Sequence, residues 1–316
     1  MLGSLNLGSI RGFLMSLYHG EGAGRKPYSP VSLLKAQLLK YLQRIPSDRR
    51  LSLLLKRNKR VARACGFKQR TPSHGLFTHF RHRLGKDGYE KVFSLLLDQL
   101  LKRKIVKGEV VALDGTAVKA YSQRSLDNRT GKSDCEARVG RARRGFILGY
   151  KVHAACCASS ELPLAFTVAP CNMNEKLFAK PLLEKLKGLG VKFKAILADA
   201  QYNSSKVRED VRLFGAEPVI PYRRSSKIKN GLKVGKDFIT RGVKRLVNIF
   251  KKRVSVERMF GRAKEWLLLD NLRGRGVEQA FINACLSFSA MLTIALTAAS
   301  QHKPNLIRSI KHYTTQ

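Results

Sequence analysis

From Tyr28 onward, apolar residues recur at helical spacing. Ser29-Pro30 sets an N-cap before a proline at the first helical position, and Leu33, Leu34, Leu38, Tyr41 and Leu42 follow on one face. A second helix is predicted from Ser47-Asp48 with Leu51, Leu54 and Leu55 inward, and a third from Lys59 to Cys65, stopped by Gly66. A fourth starts at the cap Ser73, carries Leu76, Phe77, Phe80 and Leu84, and stops at Gly85; a fifth runs from Tyr89 to Lys104. Residues 1–25 are Gly-rich and weakly patterned, and are expected to be partly disordered.

Past Gly108 the period changes. Short apolar runs predict strands at Val110–Leu113, Phe146–Ala155, Leu162–Val168, Lys194–Ala198 and Pro218–Pro221, the second and third joined as a hairpin at Ser159-Ser160. Helices are predicted at Asn174–Lys187, at Ser204–Phe214, and around 250–269 and 277–300. Three strands, helix, strand, helix, strand, helix is the order of a ribonuclease-H-like core. The predicted class is α+β: an all-helical domain over 1–107, a ribonuclease-H-like mixed α/β domain over 108–302, and a basic tail over 303–316.

Charge changes the picture. The chain has 61 Lys and Arg against 22 Asp and Glu, a net charge of +39. Phosphate neutralisation with counterion release makes a polyanion the natural partner, although ribosomal and membrane-surface proteins are also basic. Residues 1–100 hold 19 Lys and Arg against 5 Asp and Glu on short amphipathic helices. That build suits a DNA-binding helical domain, with a helix-turn-helix across Gly66–Gly85 as one form, or an ordinary bundle with solvated basic faces. The loop 127–144, which includes Arg143 and Arg144, reads as a DNA-contacting flap or a solvated loop. Residues 222–249 read as a flexible basic loop without DNA.

Six cysteines without a CxxC pair fit a reducing cytoplasm better than a disulfide framework. Ala280–Ser300 carries no charge and is long enough to span a bilayer, but Asn283, Ser287, Ser289, Thr293 and Thr297 dilute it, and a buried core helix is the preferred reading. His74, His79 and His82 with Cys65 lack zinc-site spacing, and His153 reads as a core or cleft residue.

Against this basic background three acids are conspicuous. Asp114 follows the run Val110–Leu113, Asp199 follows Ala195–Ala198, and Glu257 lies in a helix among Lys251, Lys252, Arg253, Arg258, Arg262 and Lys264. Acids at neighbouring strand ends can converge at one sheet edge, and a helix beside it can add a third. On the helix alone, Glu257 is either a salt-bridge centre or a metal ligand beside phosphate.

Phe250, Arg253, Glu257 and Lys264 resemble, at the same spacing, the Y-R-E-K signature of bacterial insertion-sequence DDE transposases, with Phe in place of Tyr. Leu113-Asp114-Gly115-Thr116 is similar to that family's first-Asp segment and Ala198-Asp199-Ala200-Gln201-Tyr202 to its second, where a Gly often precedes the Tyr. Gly149-Tyr150-Lys151-Val152-His153 resembles its second-strand region. The resemblance implies that Asp114, Asp199 and Glu257 hold two Mg²⁺ or Mn²⁺ ions, and that DNA is cut at transposon ends and joined to target DNA. It implies phosphate contacts by Arg253 and Lys264, with Arg258, Arg262, Lys151, Arg143 and Arg144 as further DNA-binding candidates. The partners implied are double-stranded DNA, in the form of terminal inverted repeats and target, and a second copy of the chain on that DNA. No membrane is expected. The rival expectations are a DNA-binding relative that has lost its chemistry and another ribonuclease-H-like nuclease such as a resolvase.

Overall fold

The computed structural model describes residues 7–18, 27–142, 145–221 and 244–314. The first helices are α1 (Gly8–Ser16), α2 (Pro30–Leu42), α3 (Asp48–Arg57), α4 (Lys59–Cys65) and α5 (His74–Lys102). Then come strands β1 (Val110–Lys119), β2 (Arg138–Ala142), β3 (Gly145–Cys157) and β4 (Pro163–Pro170), helix α6 (Ala179–Gly188) and strand β5 (Ala195–Leu197). Helix α7 (Ser205–Leu213), strand β6 (Glu217–Val219) and helices α8 (Lys244–Lys251), α9 (Val254–Trp266), α10 (Val277–Ser300) and α11 (Ile310–Thr314) complete the chain.

The helix punctuation acts as its chemistry requires. The Ser47 hydroxyl accepts from the Arg50 amide at 3.3 Å and Asn58 caps α4 in the same way at 3.1 Å. Gly66 ends α4 at φ 97°, and Gly85, at φ 60° and ψ 179°, breaks α5 where two helices were expected. Within residues 1–25, the segment Gly8–Ser16 is helical. Ile10, Phe13, Leu14 and Leu17 have helical spacing, and α1 buries Ile10 and Leu14 completely.

The chain divides into two compact units, residues 1–102 with 262–316, and residues 103–261, the second boundary falling inside α9. In the first unit α10 is buried along nearly its whole length. Asn283 shows why it sits with α2: its side chain accepts from the Tyr41 hydroxyl at 2.8 Å and donates to the Leu269 carbonyl at 2.9 Å. The Cys285 thiol points to the Tyr89 carbonyl on α5 at 3.1 Å. Among the described residues α10 is long and apolar enough to cross a membrane, yet its apolar window is wholly buried. The tail 303–316, expected as merely basic, includes α11 with Ile310 buried.

The second unit is built on a six-stranded sheet in the order β2-β3-β1-β5-β6, with β4 also paired to β3. β3 runs antiparallel to β1, β2 and β4, whereas β5 and β6 are parallel to β1 and to each other. With β2 set aside, the order β4-β3-β1-β5-β6 is that of a ribonuclease-H-like fold. Two strand expectations change. β1 continues six residues past Leu113, to Lys119, because Gly115 to Lys119 pair with His153 back to Gly149. β2 lies inside the expected loop 127–144; its polar, Gly-containing sequence hides a strand whose pairing to β3 spans Arg138↔Gly149 to Ala142↔Gly145. Gly149 permits a close approach there, since a Cβ would lie 2.1 Å from the Val118 carbonyl oxygen.

Candidate metal centre

The parallel pairing of β1 and β5 brings two of the acids together. Their ladder ends at Ala112↔Leu197, and Asp114 and Asp199 each lie two residues farther along their chains. Asp114 is thus mid-strand, opposite Ala154 of β3, rather than at a strand end. Its Oδ1 accepts from the Gly115 amide at 2.8 Å. Asp199 opens a short 3₁₀ turn, Ala200–Tyr202, and its Oδ1 accepts from the Gln201 amide at 2.9 Å. Both carboxylates are held by their own backbone and present their remaining lone pairs elsewhere.

The third acid of the cluster is Glu175. Carboxylate oxygens of Asp114, Glu175 and Asp199 lie within 4.8 Å of one another, the one group among the described residues placed to hold a metal ion. Glu175 begins the 3₁₀ turn Glu175–Phe178, whose cap Asn174 accepts from the Lys176 amide at 3.1 Å. Lys151 of β3 donates to Glu175 at 2.8 Å, and both side chains are nearly buried. With its amide nitrogen turned toward Glu175, Gln201 donates to both carboxylate oxygens at 3.1 Å. Gln201 is the residue that stands where the resembling family often has Gly. The sequence did not single out Glu175, which falls inside the helix expected over Asn174–Lys187. Its only signal was its place at the start of a helical segment directly after β4.

Glu257, on α9, is outside that group. Arg253 forms an ion pair with it one turn away, and the same guanidinium reaches Asp114 at 3.8 Å. Glu257 is half exposed, whereas Asp114 is about one-fifth exposed. One cation therefore links the helix acid to the sheet acid. Phe250 contributes a ring face 6.0 Å from the Arg253 guanidinium carbon.

The electrostatics favour a cation. Burial is the main force on Asp114 and, reinforced by Asp199 and Glu175, outweighs the Gly115 amide and Arg253, so its carboxyl rises to about 7. A carboxylate that burial drives toward neutrality, despite Arg253 nearby, is short of compensating positive charge. Three hard oxygen donors at this separation suit a hard divalent cation rather than a soft metal. Beside them His153 is fully buried and stacked on Phe178 with centroids 4.1 Å apart. Burial, with Lys151 adding to it, pushes its imidazolium down to about 3, so the ring is neutral.

Two protein-family models match the sequence: a transposase DDE domain over residues 105–293 and a second transposase domain, of the type designated DUF772, over residues 3–83. The chain belongs to the transposase DDE-domain family. No curated protein matches it. Among solved structures it is similar to a piggyBac transposase synaptic complex with hairpin DNA, at 8% identity and a TM-score of 0.49, covering 96% of this chain and 75% of that one. A Mos1 transposase paired-end complex with the left transposon end and a pre-cleavage Mos1 transpososome follow, each at 11% identity over 88% of this chain and 81% of theirs, with TM-scores of 0.26 and 0.24. These distant likenesses add nothing to the family assignment.

Four of the cations expected to meet DNA are engaged within the protein. Arg258 is 3.1 Å from Glu161, an almost fully buried acid at the β3–β4 turn, and Lys264 is 3.2 Å from Asp270. Lys151 serves Glu175, and Arg253 serves Glu257 and Asp114. Arg262 lies on α9 and is partly buried. Arg143 and Arg144 lie outside the described residues, as does most of the basic loop expected over 222–249.

Proposed function

We propose that this protein is a transposase that cuts double-stranded DNA at the terminal repeats of its element and transfers the freed ends into target DNA, dependent on Mg²⁺ or Mn²⁺. The observation that carries this reading is the convergence of Asp114 and Asp199 on adjacent parallel strands, with further carboxylates beside them, in a member of the transposase DDE-domain family. The net charge of +39 supports a nucleic-acid substrate. The basic helices over 30–102 are the proposed duplex-binding region, two copies of the chain acting together on paired ends in a bacterial cytoplasm.

Asp114, Asp199 and Glu257 would hold two ions. Such ions supply charge that screens the phosphate and makes an attacking hydroxyl more acidic. The protein's own part is orientation. The Gly115 and Gln201 amides fix the two aspartates. Arg253 is placed to leave its carboxylates for a phosphate oxygen, which it can grip with two parallel donors. Lys264, two turns beyond Glu257 on α9, is a second phosphate contact by the same reading. Each step is an in-line displacement at phosphorus. The hydroxyl of water, or later a DNA 3′-OH, forms the new P–O bond, its proton passes to solvent, and the leaving 3′ oxygen departs with the bonding pair. Neutral His153 carries no charge into this site.

The test is cleavage of a labelled duplex carrying the terminal repeat with Mg²⁺ or Mn²⁺, using the wild type and the Asp114→Asn, Asp199→Asn and Glu257→Gln variants. Nicking at the repeat that each substitution abolishes, with DNA binding retained, is the expected result. Full activity in one variant removes that acid from the site. Tight binding with no cut by the wild type would indicate a DNA-binding relative without chemistry, the outcome to which Phe250 would point. Preference for branched DNA over the repeat would indicate a resolvase.

A further inference from the structure

The resemblance implies a centre of three acids, Asp114, Asp199 and Glu257, but the structure clusters Asp114 and Asp199 with a different acid, Glu175. Glu175 is 8% exposed and shares the 4.8 Å cluster with Asp114 and Asp199, whereas Glu257 approaches only through the Arg253 guanidinium. Burying a carboxylate beside two others is costly unless something positive is in contact with it. In this structure that contact is the Lys151 ammonium at 2.8 Å, supplemented by the Gln201 amide.

A second feature independently points to a ligand at this cluster. The Tyr202 side chain is completely buried, and its hydroxyl has no hydrogen-bond partner among the described residues. The charges that act on this phenol are those of Glu175, Asp114 and Asp199. A buried hydroxyl without a partner is uncommon, because leaving one unmade costs more than making it gains. A hydroxyl orphaned beside three carboxylates suggests that those carboxylates are set for another occupant. A bound cation with its hydration water would supply the hydrogen-bond partner that the tyrosine lacks, the polarised water donating to the phenol oxygen.

We propose that Glu175 is a cation ligand, so that Asp114, Asp199 and Glu175 form the site that binds a divalent cation in the DNA-free protein, with Lys151 holding the position of that charge until the ion arrives. This rests on the metal-dependent reading above but assigns the resting ion to Glu175 rather than Glu257. Lys151 then has a task that its burial would otherwise obscure. It compensates Glu175 in the metal-free protein and is released when the cation takes over.

The test is Mn²⁺ binding to the full chain without DNA, followed by titration calorimetry and by the loss of the free-ion electron paramagnetic resonance signal. Glu175→Gln should weaken the tightest Mn²⁺ site at least tenfold, as Asp114→Asn should, while Glu257→Gln should change it less than threefold. Lys151→Met should tighten Mn²⁺ binding several-fold, and that gain should vanish in the Lys151→Met/Glu175→Gln double variant. Far-UV circular dichroism confirms that each variant is folded; should Glu175→Gln fail to fold, the Lys151→Met arm decides alone, unchanged affinity counting against the proposal. Wild-type affinity in Glu175→Gln, with Asp114→Asn or Glu257→Gln weakened, overturns this assignment and leaves the three-acid reading standing. If the wild type binds no Mn²⁺ even at millimolar concentration, the resting site falls, and DNA cleavage assays judge the broader reading separately.

Discussion

Neutralising Asp114 should stabilise the metal-free protein. Its carboxyl is raised from 3.8 to about 7, principally by burial and then by Asp199 and Glu175. A folded-state value above the unfolded one means that the folded state holds more protons between roughly pH 4 and pH 7, so stability falls as pH rises through that window. Three units correspond to about 4 kcal/mol of penalty above pH 7 at 1.36 kcal/mol per unit. Asparagine keeps the shape and can still accept from the Gly115 amide, but it forfeits the attraction to Arg253 at 3.8 Å. A net gain of roughly 2–4 kcal/mol is therefore expected for Asp114→Asn at pH 8 in chelator, equivalent to a Tm rise of roughly 5–10 °C for a unit of this size. Thermal unfolding followed by circular dichroism from pH 4 to pH 8 reads it. The wild-type and variant curves should coincide near pH 4 and separate as pH rises. Saturating Mn²⁺ should then close the gap, since a ligand at a hundred times its Kd adds about 2.7 kcal/mol to the form that binds it. A variant no more stable than the wild type at pH 8 would refute the electrostatic account of this site.

Two further substitutions probe the scaffold. Asp48 is nearly buried between Lys40 at 2.8 Å and Arg81 at 2.7 Å; burial alone would raise its carboxyl, but the two cations outweigh it and hold it below its ordinary value. Asp48→Ala should cost about 3 kcal/mol by leaving Lys40 uncompensated, and the wild-type advantage should disappear as pH falls through the depressed carboxyl value; a loss below about 1 kcal/mol in urea titration would refute the pairing. Gly149→Ala should cost about 3 kcal/mol or more, because its Cβ would meet the Val118 carbonyl oxygen at 2.1 Å and that neighbour is backbone. A soluble variant with unchanged Tm would show that β1 and β3 are not so closely apposed.

The elements that were legible in the sequence are those specified locally. Gly66 and Gly85 end helices because their backbones turn left-handed, and Ser47, Asn58 and Ser204 cap because their oxygens reach an amide three residues on. Asp114 and Asp199 were legible because each follows an apolar run, and two strands in parallel register bring such residues level. β2 was not, since Arg138, Gly140 and Arg141 carry no alternation, and only pairing to β3 makes the segment a strand. The position of α10 was hidden for a different reason. Its apolar surface is nearly all-round, so periodicity says that it is buried without saying against what; Tyr41 and Tyr89 supply that answer through Asn283 and Cys285. Glu175 was the least legible of all. Its part depends on Lys151, twenty-four residues earlier, and on Gln201, twenty-six residues later, and no spacing rule connects the three.

The same distinction explains how a chain of net charge +39 contains a pocket poor in positive charge. Interactions between exposed charges fade over a Debye length of about 8 Å at physiological ionic strength, so cations spread over the surface do little for a carboxylate under cover. Desolvation, in contrast, acts wherever water is excluded, and at Asp114 it is the largest influence. Only cations in contact can answer it. Lys151 is committed to Glu175, Arg258 to Glu161, and Arg253 is divided between Glu257, in direct contact, and Asp114, at 3.8 Å. Asp114 thus keeps a deficit that the excess of basic residues elsewhere does not remove. A divalent ion, small enough to sit among the oxygens and doubly charged, can meet it where a side-chain cation cannot.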